Sequence, residues 1–359
     1  MTKWVANQPY NELPALPPAH FAPSAQVQKA VTVAHIAIAR VEQALALLPS
    51  PQVFVTAIPI VESQASSAIE NIVTTNDQLF AHLVDHQVAS TDKTIQSVWA
   101  NRGALKVGFD KVTSRPITAN LSAELCGILL GHQVQIRTAP GTFIGALGKV
   151  TYTPPVGSEL IAKKLANWES FVNADIDLDP LIVMAMAHYQ FEAIHPFYDG
   201  NGRTGRVLNV LMLAHKGVIS APVLHLSRSI NRKRQAYYDS LLAVTSSGDW
   251  QRWVLFMLEV VKESATEVLA QITKIATLRA DAIELISGSN LKREHHERLA
   301  NLIFETPYFR QPDLARSFGI SRPTSASWAA TLEKLGLVVS VTSGREKYYV
   351  NQAMMDVLA

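Results

Sequence analysis

Residues 195–206 read HPFYDGNGRTGR, which places three glycines, a histidine, an aspartate, an asparagine and two arginines within twelve positions. Gly200-x-Gly202-x-x-Gly205 has the spacing of a dinucleotide-binding turn. Such a turn must follow a strand, open a helix, and meet an acidic residue about 20 positions later. The preceding LIVMAMAHYQFEAI (181–194) is rich in Ala and Met at helical spacing, unlike a Val/Ile-rich parallel strand. No Asp or Glu lies between Gly200 and Tyr238. The ATPase phosphate loop fails as well, because Arg206-Val207 stands where Lys-Ser/Thr is required.

The chemistry of phosphate capture nevertheless survives. Glycines let successive backbone N–H groups turn inward to cradle an anion. The following RVLNVLMLAHKG reads as a helix whose positive end faces the same point. Arg203 and Arg206 can clamp phosphoryl oxygens, and Asp199 is the one local carboxylate suited to Mg²⁺. His195 is a base whose ordinary pKa lies near neutrality.

Outward from this stretch the period is helical from residue 25 to about 290, as in 27–48, 94–112 and 250–286. One island, PGTFIGALGKVTYTPP (140–155), alternates β-branched or aromatic with small residues and predicts a short hairpin. Residues 1–24 carry Pro14, Pro17, Pro18 and Pro23 and read as a stiff extended arm packed on something else. SGSNLKREHHER (287–298) marks a linker. Beyond it, 310–338 reads as helix, Gly319 turn, helix, followed by two strands around Ser343-Gly344, the winged-helix pattern.

The chain has 359 residues, 48% of them apolar, and a net charge of +2, so two or three domains with real cores are expected and no global field points to nucleic acid or membrane. The single cysteine, Cys126, cannot form an internal disulfide and sits in an apolar run, which fits a reducing compartment and a buried position. No stretch approaches a membrane span and the N-terminus is no signal peptide, so the expected location is cytoplasmic.

HPFYDGNGRTGR resembles the Fic motif, HxFx(D/E)GNGRxxR, at every specified position. Fic domains are α-helical nucleotidyltransferases that mostly move AMP from Mg-ATP onto a hydroxyl side chain of a target protein. The resemblance implies an all-α fold: a Fic helical core with a small β-hairpin flap, plus a C-terminal winged helix-turn-helix. It implies an N-terminal arm and helical region at 1–110, a catalytic core at 111–288 and a winged-helix unit at 289–359.

Carried over by the resemblance, His195 is the general base, Phe197 anchors the loop, and Asp199 holds Mg²⁺. Gly200, Asn201 and Gly202 form the anion hole, Arg203 supports the phosphates and Arg206 grips the γ-phosphate; Thr204 and Gly205 belong to the same ATP-binding stretch. Tyr237 and Tyr238 match a tyrosine pair near adenine and ribose, although a helix packing pair explains them equally. Thr245 stands where some members carry a base-reading asparagine. His188 reads as a satisfied structural histidine facing away from the site.

The hairpin falls at the family's flap, where Val150, Thr151, Tyr152 and Thr153 would take a target segment by β-addition. The usual Gly-x-Phe-Arg reads Gly141-Thr142-Phe143-Ile144, one arginine short. Upstream, SSAIEN (66–71) lies in a helical run, PIVESQASSAIENIVTTNDQLF (59–80), with Ser66 and Glu70 on one face. Ser66-x-x-x-Glu70-Asn71 resembles the Fic inhibitory motif, which implies that Glu70 pairs with Arg206 and blocks the γ-phosphate position. The resemblance leaves open a reaction run mainly towards AMP removal. A competing reading puts the function in the tail, with Arg310, Arg316, Arg322, Arg345 and Lys347 contacting DNA within 310–349, diluted by Glu333 and Glu346; winged helices also serve as protein-interaction modules. Expected partners are therefore ATP, a target protein, a second copy of the chain and, in the competing reading, DNA.

Overall fold

The computed structural model describes residues 4–48, 52–72, 92–140, 142, 144–146, 149–343 and 346–358. The N-terminal arm is laid over the body of the same chain, burying Leu13 and Leu16. Lys164 Nζ donates to the Leu13 carbonyl, Gln190 Nε2 to that of Pro14, and Asn167 both donates to and accepts from the backbone of Leu16. Helix α1 (Ala25–Ala46) is capped by Ser24 and buries the stripe Val27, Ala34, Ile38, Val41 and Leu45. Helix α2 (Gln52–Ile69) follows, then α3 (Lys93–Val112), which is capped by Asp92 and continues across residue 110.

The long helical run expected through residue 80 stops at Ile69. Asn71 takes a left-handed conformation (φ 64°), and the Asn71 and Ile72 amides turn back to the carbonyls of Ala68 and Ser67, closing the helix. Glu70 and Asn71 therefore sit just past the last turn; the part of that run beyond residue 72 lies outside the described residues.

Helix α4 (Ala119–Leu130) precedes the hairpin of β1 (Ile144–Ala146) and β2 (Lys149–Tyr152), antiparallel with a bulge at Ile144/Gly145. Residues 141 and 143 of the expected opening lie outside the described residues. Next come α5 (Ser158–Asn173), α6 (Pro180–Ile194) and α7 (Asn201–His215). Every side chain of α6 from Leu181 to Ile194 is buried, which explains why apolar residues occur all round this helix and not on one stripe. Two tryptophans wrap it and satisfy their indole N–H groups on its carbonyls: Trp168 on Ala187 and Trp253 on Ala185.

Helix α7 begins at Asn201 rather than at Arg206, so NGRTGR, capped by Gly200, forms its first turns and not a loop ahead of it. Helices α8 (Leu226–Arg232), α9 (Arg234–Ser247) and the 38-residue α10 (Trp250–Ser287) complete the bundle, with α1 packed along α10.

After a short 3-10 turn the chain forms α11 (His296–Glu305), β3 (Tyr308–Arg310), α12 (Gln311–Phe318), α13 (Arg322–Lys334), β4 (Val339–Ser343), β5 (Glu346–Val350) and α14 (Gln352–Leu358). Gly319 makes the turn between α12 and α13 at φ 64°, and Ser321 caps α13. The sheet order is β3-β5-β4, all antiparallel, so a third strand joins the two that were expected. Helix α14 returns to the bundle, where Gln271 and Arg228 donate to the carbonyls of Val357 and Leu358. Among the described residues no helix is long and apolar enough to cross a membrane.

Candidate functional site

The turn between α6 and α7 builds the site. His195 ends α6 in a left-handed conformation (φ 51°), uncommon for a residue other than glycine, and its amide donates to the Phe191 carbonyl. Arg137 holds it there. This side chain is 1% exposed and donates to the carbonyls of His195 (2.7 Å), Ile194 (3.1 Å) and Pro155 (2.6 Å), tying the turn to the end of the hairpin. Nothing about a lone arginine in HQVQIRTAP announces that role, because all of its contacts are distant in sequence.

His195 Nδ1 is buried with no partner among the described residues, which leaves Nε2 to the cleft. Burial and the nearby Arg137 guanidinium push the imidazole down to about 4, so it is neutral at pH 7.

Phe197 is fully buried against Phe191. Asn201 braces the turn reciprocally: its side-chain oxygen accepts from the Phe197 amide and its nitrogen donates to the Phe197 carbonyl, both at 2.8 Å. The expectation that Asn201 lines the anion hole is thus corrected for its side chain, which faces inward; its amide, with those of Gly202 and Arg203, heads α7 with no helical acceptor ahead of it. The Gly200 amide is likewise engaged, donating to Asp199 Oδ1 at 2.6 Å. Gly200 itself sits at φ 79°, where an added Cβ would lie 3.0 Å from Cys126 Sγ.

Thr204 and Gly205 also depart from expectation. Thr204 is buried, its hydroxyl donating to the Gly200 carbonyl, and Gly205 packs on α6, where a Cβ would collide with Glu192 Oε1. They seat α7 and do not line the cleft. His188, expected on the far face, in fact lies directly beneath Gly205; its Nε2 is 2.9 Å from the Tyr237 hydroxyl, but its buried Nδ1 has no partner among the described residues, so it is only half satisfied.

Over Gly202 lies the carboxylate of Glu70. Oε1 is 2.9 Å from Arg206 Nη2 and Oε2 is 3.1 Å from Arg203 Nε. Arg206 is buried and also donates to the Ser66 hydroxyl and carbonyl, each at 2.9 Å. A Cβ at Gly202 would stand 2.7 Å from Glu70 Oε1, so glycine there allows an anion to sit on the helix axis.

The adjoining cleft of about 480 Å³ is lined among others by Glu70, His195, Gly202, Arg206, Tyr237, Tyr238 and Thr245. Tyr237 is buried and Tyr238 more than a third exposed, the two rings meeting edge-on. Two cleft residues that sequence reasoning missed are Arg234 and Glu192. Burial raises Glu192 to about 7, against the pull of Arg206.

Of the hairpin residues, Thr151 and Tyr152 line the cleft and Val150 is half-buried. Tyr152 is buried, its hydroxyl donating to the Ala193 carbonyl, and Thr153 is clasped by the arm through Ala6 and Tyr10. The Thr153 carbonyl is therefore already taken by the arm and not free for a target segment, which corrects the expectation at that position.

Among the described residues no cluster of three or more His, Cys, Asp or Glu could hold a metal. The exposed Asp199 keeps Oδ1 on Gly200 N and has Oδ2 for a cation. One carboxylate, with water and phosphate oxygens supplying the rest, suits Mg²⁺ bound together with a nucleotide.

In the C-terminal unit the expected basic contacts are partly paired: Arg310 and Arg316 share Asp313, Lys347 lies 3.7 Å from Glu333 and over the Tyr349 ring, and the exposed Arg322 makes no ion pair among the described residues. Arg345 lies outside the described residues.

Residues 28–110 match the model described as Fic/DOC family N-terminal, 120–213 the Fic/DOC family model, and 289–354 the model described as Protein adenylyltransferase SoFic-like, C-terminal domain. Similar curated proteins include protein adenylyltransferase fic-1 of Caenorhabditis briggsae, 31% identical over 139 residues, and protein adenylyltransferase Fic of Culex quinquefasciatus, 31% identical over 144 residues. The matches cover 38% and 39% of this chain but only 25% and 27% of those proteins. A crystal structure of a Fic family protein from Desulfovibrio desulfuricans shares the fold with TM-score 0.60 at 21% identity, over 92% of this chain and 97% of that one. A structure of Fic-1 from C. elegans gives TM-score 0.53 at 22% identity, over 69% of this chain and 74% of that one. With the motif intact on the α6–α7 turn and all three models in register along the sequence, the chain belongs to the Fic/DOC family.

Proposed function

We propose that this chain is an Mg²⁺-dependent protein adenylyltransferase that moves AMP from ATP to a Ser, Thr or Tyr hydroxyl of a target protein and of itself, restrained by Glu70. In this reading residues 1–110 carry the brake, 111–288 the chemistry, and 289–359 a winged-helix unit. The observation that carries it is the Glu70 carboxylate seated over Gly202 between Arg203 and Arg206: an anion already occupies the place a terminal phosphate would take. The curated relatives named as adenylyltransferases support the same chemistry.

His195 Nε2 takes the proton of the target hydroxyl, whose oxygen bonds to the α-phosphorus of ATP while the bond to the bridging oxygen breaks and pyrophosphate leaves. A neutral imidazole is ready for that proton at pH 7. The amides heading α7 and the two arginines hold the phosphates in line. Asp199 and the phosphates would hold Mg²⁺, which neutralises charge on the departing pyrophosphate. Tyr237 and Tyr238 form the wall for ribose and base, and Thr151 on β2 stands where the target approaches. The pairing of Arg310, Arg316 and Lys347 with carboxylates favours a protein-interaction role for the C-terminal unit over DNA binding.

Incubation with α-labelled and γ-labelled ATP tests this. Label should transfer from the α-position alone. Glu70→Gly should raise self-labelling about 5- to 150-fold, the range of a typical coupling energy, and His195→Ala should lower it by roughly 10²–10⁴. Equal labelling of wild type and Glu70→Gly discards the brake.

A further inference from the structure

We infer that Arg234 is a positioning residue that latches the brake through Asn71 and exchanges that contact for the phosphate chain of the nucleotide. The inference rests on the adenylyltransferase reading and adds to it a residue outside the Fic motif and outside the inhibitory motif. Asn71 holds a left-handed conformation immediately after Glu70, and its side-chain carbonyl accepts from Arg234 Nη1 at 3.0 Å. Arg234 is the first residue of α9, the helix that also presents Tyr237 and Tyr238 to the cleft. The contact therefore joins the end of the brake to the wall of the nucleotide pocket.

Charge shows that this arginine is available for exchange. Its neighbours Arg232 and Lys233 are ion-paired with Glu267 and Glu263, whereas Arg234 lines the cleft and makes no ion pair among the described residues. Among the described residues this half-buried guanidinium bonds a neutral amide, and it gains from a nearby phosphate, whose charged oxygens can take its planar fork bidentately where a single amide carbonyl cannot. Moving to the phosphates drops Asn71, and Asn71 carries Glu70 next to it on the same closing turn. Ligand binding thereby biases an existing two-state contact rather than pushing on a rigid block.

The test uses the full chain in wild-type and Glu70→Gly backgrounds, reading self-labelling and the KM for ATP. Asn71→Gly is the informative variant because glycine keeps φ 64° without strain and removes only the acceptor. It should raise wild-type labelling by about 3- to 10-fold and add nothing to Glu70→Gly. In the Glu70→Gly background Arg234→Ala should raise the KM for ATP several-fold, with Arg234→Lys recovering most of the loss. Wild-type labelling by Asn71→Gly beside strong labelling by Glu70→Gly overturns the latch and leaves the brake standing. An added rise in the double variant, or an unmoved KM in Arg234→Ala, also overturns it. If Glu70→Gly itself stays at the wild-type level, brake and latch fall together.

Discussion

In the proposed reaction His195 is the proton acceptor, and its local setting suits that role. Its left-handed backbone costs on the order of 1 kcal/mol or more, and the Arg137 bonds to the two consecutive carbonyls of Ile194 and His195 hold it in place. The same burial that fixes the ring depresses its pKa to about 4. The folded value lies below the unfolded one, so this group takes up its proton more readily when unfolded, and its contribution to stability is lost as pH falls from about 6.5 towards 4. An NMR titration of the His195 ring should show it neutral at pH 5.5, with a midpoint near 4; a midpoint near 6.5 contradicts the burial argument. The motif made His195, Asp199, Arg203 and Arg206 legible because its spacing is long and specific. Arg137 and Arg234 were not legible, since each acts through contacts between segments far apart in the chain, and Glu192, packed on Gly205 of the next helix, belongs to no motif that would single it out.

At the scale of elements, periodicity located α1, α3, α6 and α10 because each buries a continuous apolar stripe or face. It misplaced the start of α7. Three glycines and an asparagine have poor helix propensity, yet tight seating on α6 overrides that preference, with Gly205 against Glu192 and Thr204 on the Gly200 carbonyl. It also overran the end of α2, where apolar residues continue past Asn71; asparagine is one of the few residues that readily closes a helix in the left-handed region.

The arm was read as packed on something else, and its partners prove to be α5, α6 and the hairpin. Leu16→Ala should therefore loosen it, costing about 2 kcal/mol or more if the body does not close over the gap. The check is limited proteolysis with thermal unfolding. Faster cleavage within residues 1–20 and a Tm lowered by a few degrees are expected, and wild-type behaviour in both would refute the packing role.

For the whole molecule the buried ionisable groups oppose one another. Glu62 accepts two bonds from Ser227 and, like Glu192, is raised by burial to about 7. A carboxyl whose folded pKa exceeds its unfolded value favours the fold at low pH, and that contribution is lost as pH rises from about 4.5 through 7. The depressed histidines His188 and His195 act in the other direction. Chemical denaturation at pH 5 and pH 8 isolates one group. Relative to wild type, Glu192→Gln should gain stability at pH 8 over pH 5 by up to about 3 kcal/mol. A pH-independent difference between the two proteins would exclude a buried, proton-holding Glu192.

The central proposal is nucleotidyl transfer at the α6–α7 turn, with the Glu70 carboxylate between Arg203 and Arg206 keeping that site closed. The most direct measurement is the intact mass of the purified chain after incubation with Mg-ATP. Glu70→Gly should gain the mass of one or more AMP groups, wild type markedly less, and Glu70→Gly/His195→Ala none. No gain in Glu70→Gly, or the same gain when His195 is also removed, would contradict it.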